Sequence, residues 1–204
     1  MRVFVGWDSR EMVAYHTACH SIIQRASGPV SITALKQDQL PLNRTPDPLA
    51  STEFTYSRFL VPFLCGYEGV ALFIDCDVLV DCDIYEIMQH YDPDKAVSCV
   101  QHDYTPSTTT KFLGAAQHPY ARKNWSSVML FNNAHPDCKN LTPASVSTGT
   151  GKYLHRMEWT TEVGSIPPEY NYLVGEQECE SPKIYHYTLG TPCFCGVPTD
   201  HAIK

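Results

Sequence analysis

The chain has 204 residues, of which 43% are hydrophobic and 18% are charged, and its formal net charge is -7 at pH 7. This composition is typical of a globular protein with one sizeable core. The lysines and arginines are scattered along the chain, which argues against nucleic-acid binding through a broad basic face. No linker-like or low-complexity stretch divides the sequence, so we expect a single domain over residues 1–204.

The start of the chain and its cysteines favour a cytoplasmic protein. The opening segment MRVFVGWDS reaches a turn too soon for a signal peptide, and no apolar run approaches the roughly 20 residues that span a bilayer. The nine cysteines include no CxxC pair. We therefore expect most of them to be reduced and packed as small apolar residues, and we expect the same of Cys193 and Cys195 rather than metal binding.

The first hundred residues alternate between strand-like and helical patterns. RVFVG predicts a strand that stops at Gly6, and a helix follows with Asp8 or Ser9 as its cap. The apolar face of that helix is expected to carry Met12, Tyr15, Cys19 and Ile22. PVSITAL predicts a second strand, and a helix is expected from Thr52 to near residue 66. VALFI and AVSCV are further strands, separated by a short helix at IYEIMQH.

The rest of the chain is more irregular. WSSVMLF and KIYHY predict strands, and TPASV predicts a helix with Thr142 as its cap and Pro143 at its first position. Strands that alternate with helices indicate an α/β domain with a mostly parallel sheet flanked by helices, here with an irregular C-terminal half.

Two carboxylates follow directly on the most apolar run of the sequence. Asp75 and Asp77 come after VALFI, and in parallel α/β sheets ligands bind beyond the carboxyl ends of the strands. Residues i and i+2 of an extended segment point the same way, so both carboxylates can face one cation. Hard oxygen ligands suit Mg²⁺ or Mn²⁺, which in turn bind phosphate oxygens. The alternative is a turn in which both aspartates are solvated.

The string LFIDCDVLV fits two classes of enzyme. In haloacid-dehalogenase-like phosphatases, the first aspartate of such a string is a nucleophile toward phosphate and the second is a general acid. That class also needs a later apolar strand that ends in paired acids, and neither YDPD nor GEQECE follows one. Nucleotide-sugar glycosyltransferases of the GT-A fold place D-x-D after a nucleotide-binding α/β half, as in this chain.

Five segments, in order through most of the chain, resemble glycosyltransferase family 8, the glycogenin and galactosyltransferase group. RVFVGWDSREMVAYHTACHSI resembles the opening strand, turn and helix of that family, and TEFTYSRFLVPFL resembles its helix before the D-x-D strand. WSSVMLFN, SIPPEYNYL and KIYHYTLGTPCF resemble its later segments. The resemblance implies a metal-dependent transferase that moves a sugar, with retention, from a nucleotide sugar to a glycan, lipid or protein. UDP is the expected nucleotide.

The resemblance also implies roles for individual residues. Asp75, Asp77 and His186 correspond to the ligands of Mn²⁺ (or Mg²⁺), and an imidazole is an acceptable ligand for Mn²⁺. Glu162 corresponds to the acidic residue near the reacting carbon, which would make it catalytic together with the two aspartates. The residues implied for the donor nucleotide sugar are Gly6, Trp7, Asp8, Arg10, Arg58, Asp75, Cys76, Ser126 and Ser127.

The sequence departs from the family pattern at three places. Thr191 stands where the family has a phosphate-binding lysine, Cys193 where it has a tryptophan, and Trp125-Ser126-Ser127 where it has Asn-Ala-Gly. Diphosphate contact would then depend on the metal, the backbone and Arg10 or Arg58. The missing lysine leaves open a module that binds a nucleotide sugar without turnover. We expect residues 1–100 to bind the nucleotide and residues 101–204 to supply the acceptor surface and close the metal site.

Overall fold

The computed structural model describes residues 1–45, 47, 48, 50–106, 109 and 121–193. The strands of the first half are β1 (Arg2–Gly6), β2 (Ser31–Leu35), β3 (Val70–Ile74), β4 (Val78–Val80) and β5 (Val97–Val100). Those of the second half are β6 (Val128–Asn132), β7 (Val163–Ile166), β8 (Tyr172–Leu173) and β9 (Ile184–His186). The α-helices are α1 (Met12–Arg25), α2 (Val61–Leu64), α3 (Pro143–Thr148) and α4 (Gly151–His155).

Six strands form the central sheet in the order β2-β1-β3-β6-β5-β7. β6 runs antiparallel to both of its neighbours, β3 and β5, and the other pairs in the sheet are parallel. The carboxyl ends of β1, β3, β5 and β7 therefore lie at one edge of the sheet. This mixed α/β architecture with a mostly parallel sheet confirms the fold class predicted from the sequence.

The apolar run at β3 lies at the centre of the core. β3 pairs with β1 on one side and with β6 on the other, and Ala71 to Ile74 are at most 1% exposed. A strand that is covered on both faces is apolar throughout rather than alternating, as VALFI is. The sequence directly after it must leave the core, which brings Asp75 to the edge of the sheet.

A second sheet, of three strands, begins directly after that edge of the central sheet. Its order is β4-β9-β8, with β9 antiparallel to β4 and parallel to β8. The register pairs Val78 with His186, so the strand that follows the D-x-D segment holds a residue from far along the chain. The prediction of a strand at KIYHY is confirmed, whereas β4 and β8, of three and two residues, are too short for a periodic signal.

Several helix predictions need correction. α1 begins at Met12 with Glu11 as its cap residue, not Asp8 or Ser9. Of the face predicted for this helix, Tyr15 and Ile22 are buried and Cys19 is half-buried, whereas Met12 is 51% exposed. The helix expected from Thr52 is a series of turns, a 3-10 helix (Ser57–Leu60) and the single turn of α2. Pro62 lies at the start of α2 because its ring and its missing N–H suit the first turn of a helix.

Two further segments differ from their predicted structure, one in its type of helix and the other in the residue at which its strand begins. IYEIMQH forms a 3-10 helix (Ile84–His90) with the side chain of Asp83 as its cap. Trp125–Ser127 is a 3-10 turn, so β6 begins only at Val128. At α3 the prediction is confirmed, because Thr142 and Ser145 form a reciprocal capping box and Pro143 follows the cap. No helix in the described ranges is both long and apolar enough to cross a membrane.

The glycine at the end of β1 is required by packing. A Cβ added to Gly6 would overlap the ring of Phe54, which is fully buried against β1. Phe54 also contacts Phe73 of β3, with ring centroids 6.4 Å apart, so the ring has little room to move. The absence of a side chain at Gly6 thus lets the segment that contains Phe54 pack onto the sheet.

We predict that Gly6→Ala destabilises the protein by about 1–3 kcal/mol, the usual cost of overpacking a core. In a chain of this size each 1 kcal/mol lowers the melting temperature by about 2–4 °C. Gly151→Ala is the matched control, because a Cβ there meets only ordinary contacts with Tyr56. Equal melting temperatures for the two variants would contradict the packing argument.

Candidate active site

Two carboxylates and one imidazole meet at the carboxyl edge of the central sheet. Candidate ligand atoms of Asp75, Asp77 and His186 all lie within 4.8 Å of one another. His186 Nε2 is 3.3 Å from Asp77 Oδ1 and 3.9 Å from Asp75 Oδ2. Asp75 and His186 are buried, and Asp77 is half-buried. These three residues could hold a metal ion, and their oxygen and nitrogen atoms suit Mn²⁺ or Mg²⁺.

Backbone pairing fixes the position of the imidazole. His186 is the last residue of β9 and pairs with Val78, which follows Asp77 directly. The next N–H, of Tyr187, donates to the carbonyl oxygen of Asp77 over 2.9 Å. The pairing of β4 with β9 and the hydrogen bond from Tyr187 are both backbone contacts. Backbone contacts therefore hold the three side chains near one another.

Asn171 orients the His186 ring. The side-chain oxygen of Asn171 lies 2.9 Å from Nδ1 of His186, and both residues are buried. An amide oxygen can only accept, so Nδ1 carries the proton and Nε2 faces the two aspartates. This is the arrangement in which proteins hold a metal-binding histidine.

The charges around His186 favour its protonated form while no cation is bound. Burial on its own would lower the pKa of His186, but the charge of Asp77, the hydrogen bond to it and the charge of Asp75 raise it overall. A cation at Nε2 would have to displace this proton. Metal binding at this cluster is therefore coupled to pH.

Arg58 forms an ion pair with one carboxylate oxygen of Asp75, Oδ1. Its Nη1 atom donates to Asp75 Oδ1 over 2.7 Å and to the carbonyl oxygen of Ser126 over 2.9 Å, and the arginine is buried. The Asp75 N–H donates to the carbonyl oxygen of Ser127 over 2.9 Å. Arg58, Ser126 and Ser127, all expected at the donor site from the sequence, thus lie directly against Asp75.

The loop after β1 is held together by Asp8. Its carboxylate accepts hydrogen bonds from the backbone and side chain of Arg10 and from the backbone N–H of Glu53. Although burial opposes ionisation, these hydrogen bonds lower the pKa of Asp8 overall. Trp7 packs edge-on against Tyr15, with ring centroids 4.8 Å apart. Asp8 and Arg10 are therefore engaged with each other in the absence of ligand.

Glu11 is a buried carboxyl group that the sequence reading missed. Burial, followed by the charges of Asp77, Asp8 and Asp75, raises the pKa of Glu11 to about 8. The thiol of Cys76 points toward it, with Sγ 3.8 Å from Oε2, and Cys76 is fully buried. The Cys76 thiol is therefore enclosed in the protein and is not presented to solvent. An acid immediately before a helix resembles an ordinary cap residue in sequence, which is why Glu11 gave no signal.

Glu162 lies apart from the other predicted residues. Its backbone carbonyl accepts from Ala96 N–H, and Val163 pairs with Val97 at the start of β5, level with the beginning of β3. Asp75 lies at the opposite, carboxyl edge. The Glu162 carboxylate instead forms an exposed ion pair with Lys95 Nζ over 2.8 Å, which lowers its pKa. The structure thus corrects the expectation that Glu162 joins the aspartates.

A pocket of about 290 Å³ lies beside Asp77. Besides Asp77, its lining consists of Val13, Ala14 and Thr17 of α1, Val78 and Leu79 of β4, Tyr187, and residues 191–193. Thr191, where a lysine was expected, and Cys193 are in mutual contact, with Oγ1 and Sγ 2.9 Å apart. Cys195, the partner of Cys193 in the C-x-C pair, falls outside the described residues.

The sequence has a relative of known name. The chain is 47% identical over 205 residues to Protein CDI of Arabidopsis thaliana, an alignment that covers 95% of this chain and 79% of the relative. The chain belongs to the Protein CDI family. No protein-family model matches the sequence.

Solved structures similar to this member of the Protein CDI family are glycosyltransferases. GlyE of Streptococcus pneumoniae superposes with a TM-score of 0.57 at 16% identity, over 91% of this chain, which spans only 54% of the GlyE chain. An active-site mutant of LgtC gives 0.55 at 14% identity, covering 92% of this chain and 87% of LgtC. Mouse xyloside xylosyltransferase 1 gives 0.53 at 14%, covering 97% and 99%. The fold is therefore the GT-A fold of glycosyltransferases.

The raised pKa of Glu11 leads to a prediction about pH. A carboxyl group whose folded pKa lies above its unfolded value binds an extra proton in the native state, so stability falls as the pH rises between the two values. In chelator, we expect Glu11→Gln to exceed the native protein in melting temperature at pH 8 by about 2–4 °C, or about 1 kcal/mol, and by less at pH 5.5. The exposed Glu180→Gln serves as the control. A constant difference at both pH values would contradict this environment for Glu11.

Proposed function

We propose that this protein is a metal-dependent, retaining glycosyltransferase of the family 8 type that uses a UDP-sugar as its donor. The observation that carries the proposal is the meeting of Asp75, Asp77 and His186 at the carboxyl edge of the sheet in a glycosyltransferase fold. Ligands bind at that edge in open α/β sheets. A cytoplasmic location, expected from the sequence, stays a prediction.

The structural neighbours support a sugar-transfer chemistry. LgtC, a galactosyltransferase, has been solved in complex with donor and acceptor sugar analogues, and xyloside xylosyltransferase 1 is a xylosyltransferase by name. The name Protein CDI states no reaction. The proposal for this chain accordingly rests on its fold and on the chemistry of the three clustered side chains.

Asp75, Asp77 and His186 would hold Mn²⁺ or Mg²⁺. A bound divalent cation would neutralise the charge of the leaving diphosphate. Within the protein, Arg58 fixes one oxygen of Asp75 and Asn171 fixes the His186 ring, so both ligands are preorganised. The positive charge that develops on the sugar as its bond to the diphosphate breaks favours nearby carboxylates. Because Glu162 lies elsewhere, Asp75 and Asp77 would act in catalysis by holding the cation rather than by facing the sugar.

The nucleotide would enter the pocket between α1 and residues 191–193. Asp77 lines that pocket, so a diphosphate could reach the cluster from a nucleoside held there. Trp7, from the loop that leads into α1, would contact the base, and the fully buried Asp8 would hold the shape of that loop. In this arrangement residues 1–100 supply most of the nucleotide site, the second half of the chain adds His186 and residues 191–193, and we propose that the same half supplies the acceptor surface.

Thr191 favours a second candidate, a module that binds a nucleotide sugar without turnover. A lysine at this position would offset phosphate charge, and threonine cannot. Slow metal-dependent release of free sugar from a UDP-sugar would distinguish the enzyme from the module, because only the enzyme breaks the sugar–phosphate bond.

We predict that UDP raises the melting temperature in Mn²⁺ but not in chelator, because Asp75 and Asp77 otherwise repel the diphosphate. Thermal denaturation with UDP in Mn²⁺ and in chelator measures this effect.

His186→Ala should weaken Mn²⁺-dependent UDP binding about tenfold or more, which is about 1.4 kcal/mol. Titration calorimetry of UDP in Mn²⁺ measures this loss of affinity.

His20→Ala is the control for this experiment, since His20 is exposed on α1. It should bind UDP like the native protein. Stabilisation by UDP of equal size in chelator, or an unchanged affinity in His186→Ala, would refute the proposed metal site.

The phosphatase alternative leads to a separate prediction. Asp75 is held by Arg58 and faces His186, so its oxygens are engaged rather than poised for attack on phosphorus. We expect no cleavage of aryl phosphates, no beryllofluoride adduct of Asp75 and no aspartyl-phosphate after incubation with a phosphate ester. Strong aryl-phosphatase activity that disappears in Asp75→Asn would overturn the transferase proposal.

A further inference from the structure

Ser126 forms a hydrogen bond with a histidine that no sequence pattern pointed to. Its Oγ atom lies 2.8 Å from Nδ1 of His155, the last residue of α4. Ser126 is buried, at 5% exposure, and His155 is half-buried. The two residues come from separate segments, the 3-10 turn before β6 and the end of α4, so the contact depends on the tertiary fold.

The backbone of Ser126 and Ser127 lies next to the proposed metal cluster. One guanidinium nitrogen of Arg58 donates both to Asp75 Oδ1 and to the Ser126 carbonyl oxygen. The following residue, Ser127, accepts a hydrogen bond from the Asp75 N–H. A sugar joined to a diphosphate at Asp75 and Asp77 would be one bond away from that diphosphate. The sugar would therefore lie within reach of this turn.

His155 is fixed in place by its surroundings. Its ring packs edge-on against Phe59, with centroids 5.1 Å apart, and Phe59 is fully buried. The helix that carries it is capped by Thr150, whose hydroxyl accepts from Tyr153 N–H. An imidazole held in this way restricts the rotation of the Ser126 hydroxyl, which would otherwise be free to turn.

We infer that His155 is a positioning residue for the donor: it fixes the Ser126 hydroxyl, which hydrogen-bonds a hydroxyl group of the transferred sugar. A serine hydroxyl that already engages an imidazole keeps capacity to donate or accept, and sugar hydroxyls do both. A site built to bond a hydroxyl discriminates against ligands that cannot make the bond. This inference rests on the proposed function and adds a residue and a chemical preference to it.

The test compares a UDP-sugar with UDP on the same protein in Mn²⁺. Dissociation constants of UDP, UDP-glucose and UDP-galactose give, for each variant, the ratio of UDP-sugar to UDP affinity. Of UDP-glucose and UDP-galactose, the one that the native protein binds more tightly is used for the comparison. For that UDP-sugar, Ser126→Ala and His155→Leu should each lower the ratio of its affinity to the affinity for UDP about fivefold to tenfold, as expected for one hydrogen bond. His155→Asn, whose amide can reach the position of Nδ1, should restore most of the ratio.

Ser21→Ala is the matched control. Ser21 is equally buried and donates to Ala18 O over 2.8 Å, but it lies on α1 beside β4. Its loss should lower the melting temperature without changing the ratio. The same result for Ser126→Ala and His155→Leu would overturn the inference and reduce the pair to a structural contact.

Failure of the proposed function has a different signature. A native protein that binds UDP in Mn²⁺, combined with unchanged ratios in the variants, contradicts only the role of His155. The inference is also contradicted if Mn²⁺ strengthens the binding of UDP to the native protein but strengthens the binding of neither UDP-glucose nor UDP-galactose. A native protein that does not bind UDP in Mn²⁺ contradicts the proposed function itself.

Discussion

The structure is organised around negative charge at the end of one buried strand. Asp75 follows β3 directly, and Asp8, Glu11 and Asp77 lie in the same electrostatic environment. Carboxylates removed from water are costly unless they are paired or protonated. The protein meets this cost in three ways: Arg58 and Arg10 pair with Asp75 and Asp8, His186 is driven toward its charged form, and Glu11 toward its neutral form.

The small β4-β9-β8 sheet links this charge cluster to the second half of the chain. β4 begins one residue after Asp77, and its pairing with β9 sets the position of His186. Asn171, just before β8, then sets the ring orientation. A change in the register of this sheet by one residue would turn the imidazole away from the aspartates. The candidate site therefore depends on secondary structure that is remote in sequence.

The sequence signal was strong where a local pattern reports burial directly. VALFI followed by two aspartates predicts both a central strand and its polar end, and the resemblance pointed to His186. Glu162 was misjudged because its role depended on which end of β7 reaches the site, and β7 itself carried no periodic signal. Glu11, Asn171 and His155 could not be predicted because their importance comes from tertiary contacts rather than from their neighbours in sequence.

The pairing of the arginines bears on the proposed donor site, where we expect a cation rather than an arginine to neutralise the diphosphate. Arg10 and Arg58, the cationic side chains expected to meet the diphosphate, already form ion pairs with Asp8 and Asp75. Contact with phosphate would have to compete with these pairs, and Thr191 adds no positive charge. A divalent ion at Asp75, Asp77 and His186 adds positive charge without breaking either pair. Under the proposed function, a threonine at position 191 and the three clustered ligands are therefore compatible, because the ion supplies the positive charge that the side chain does not.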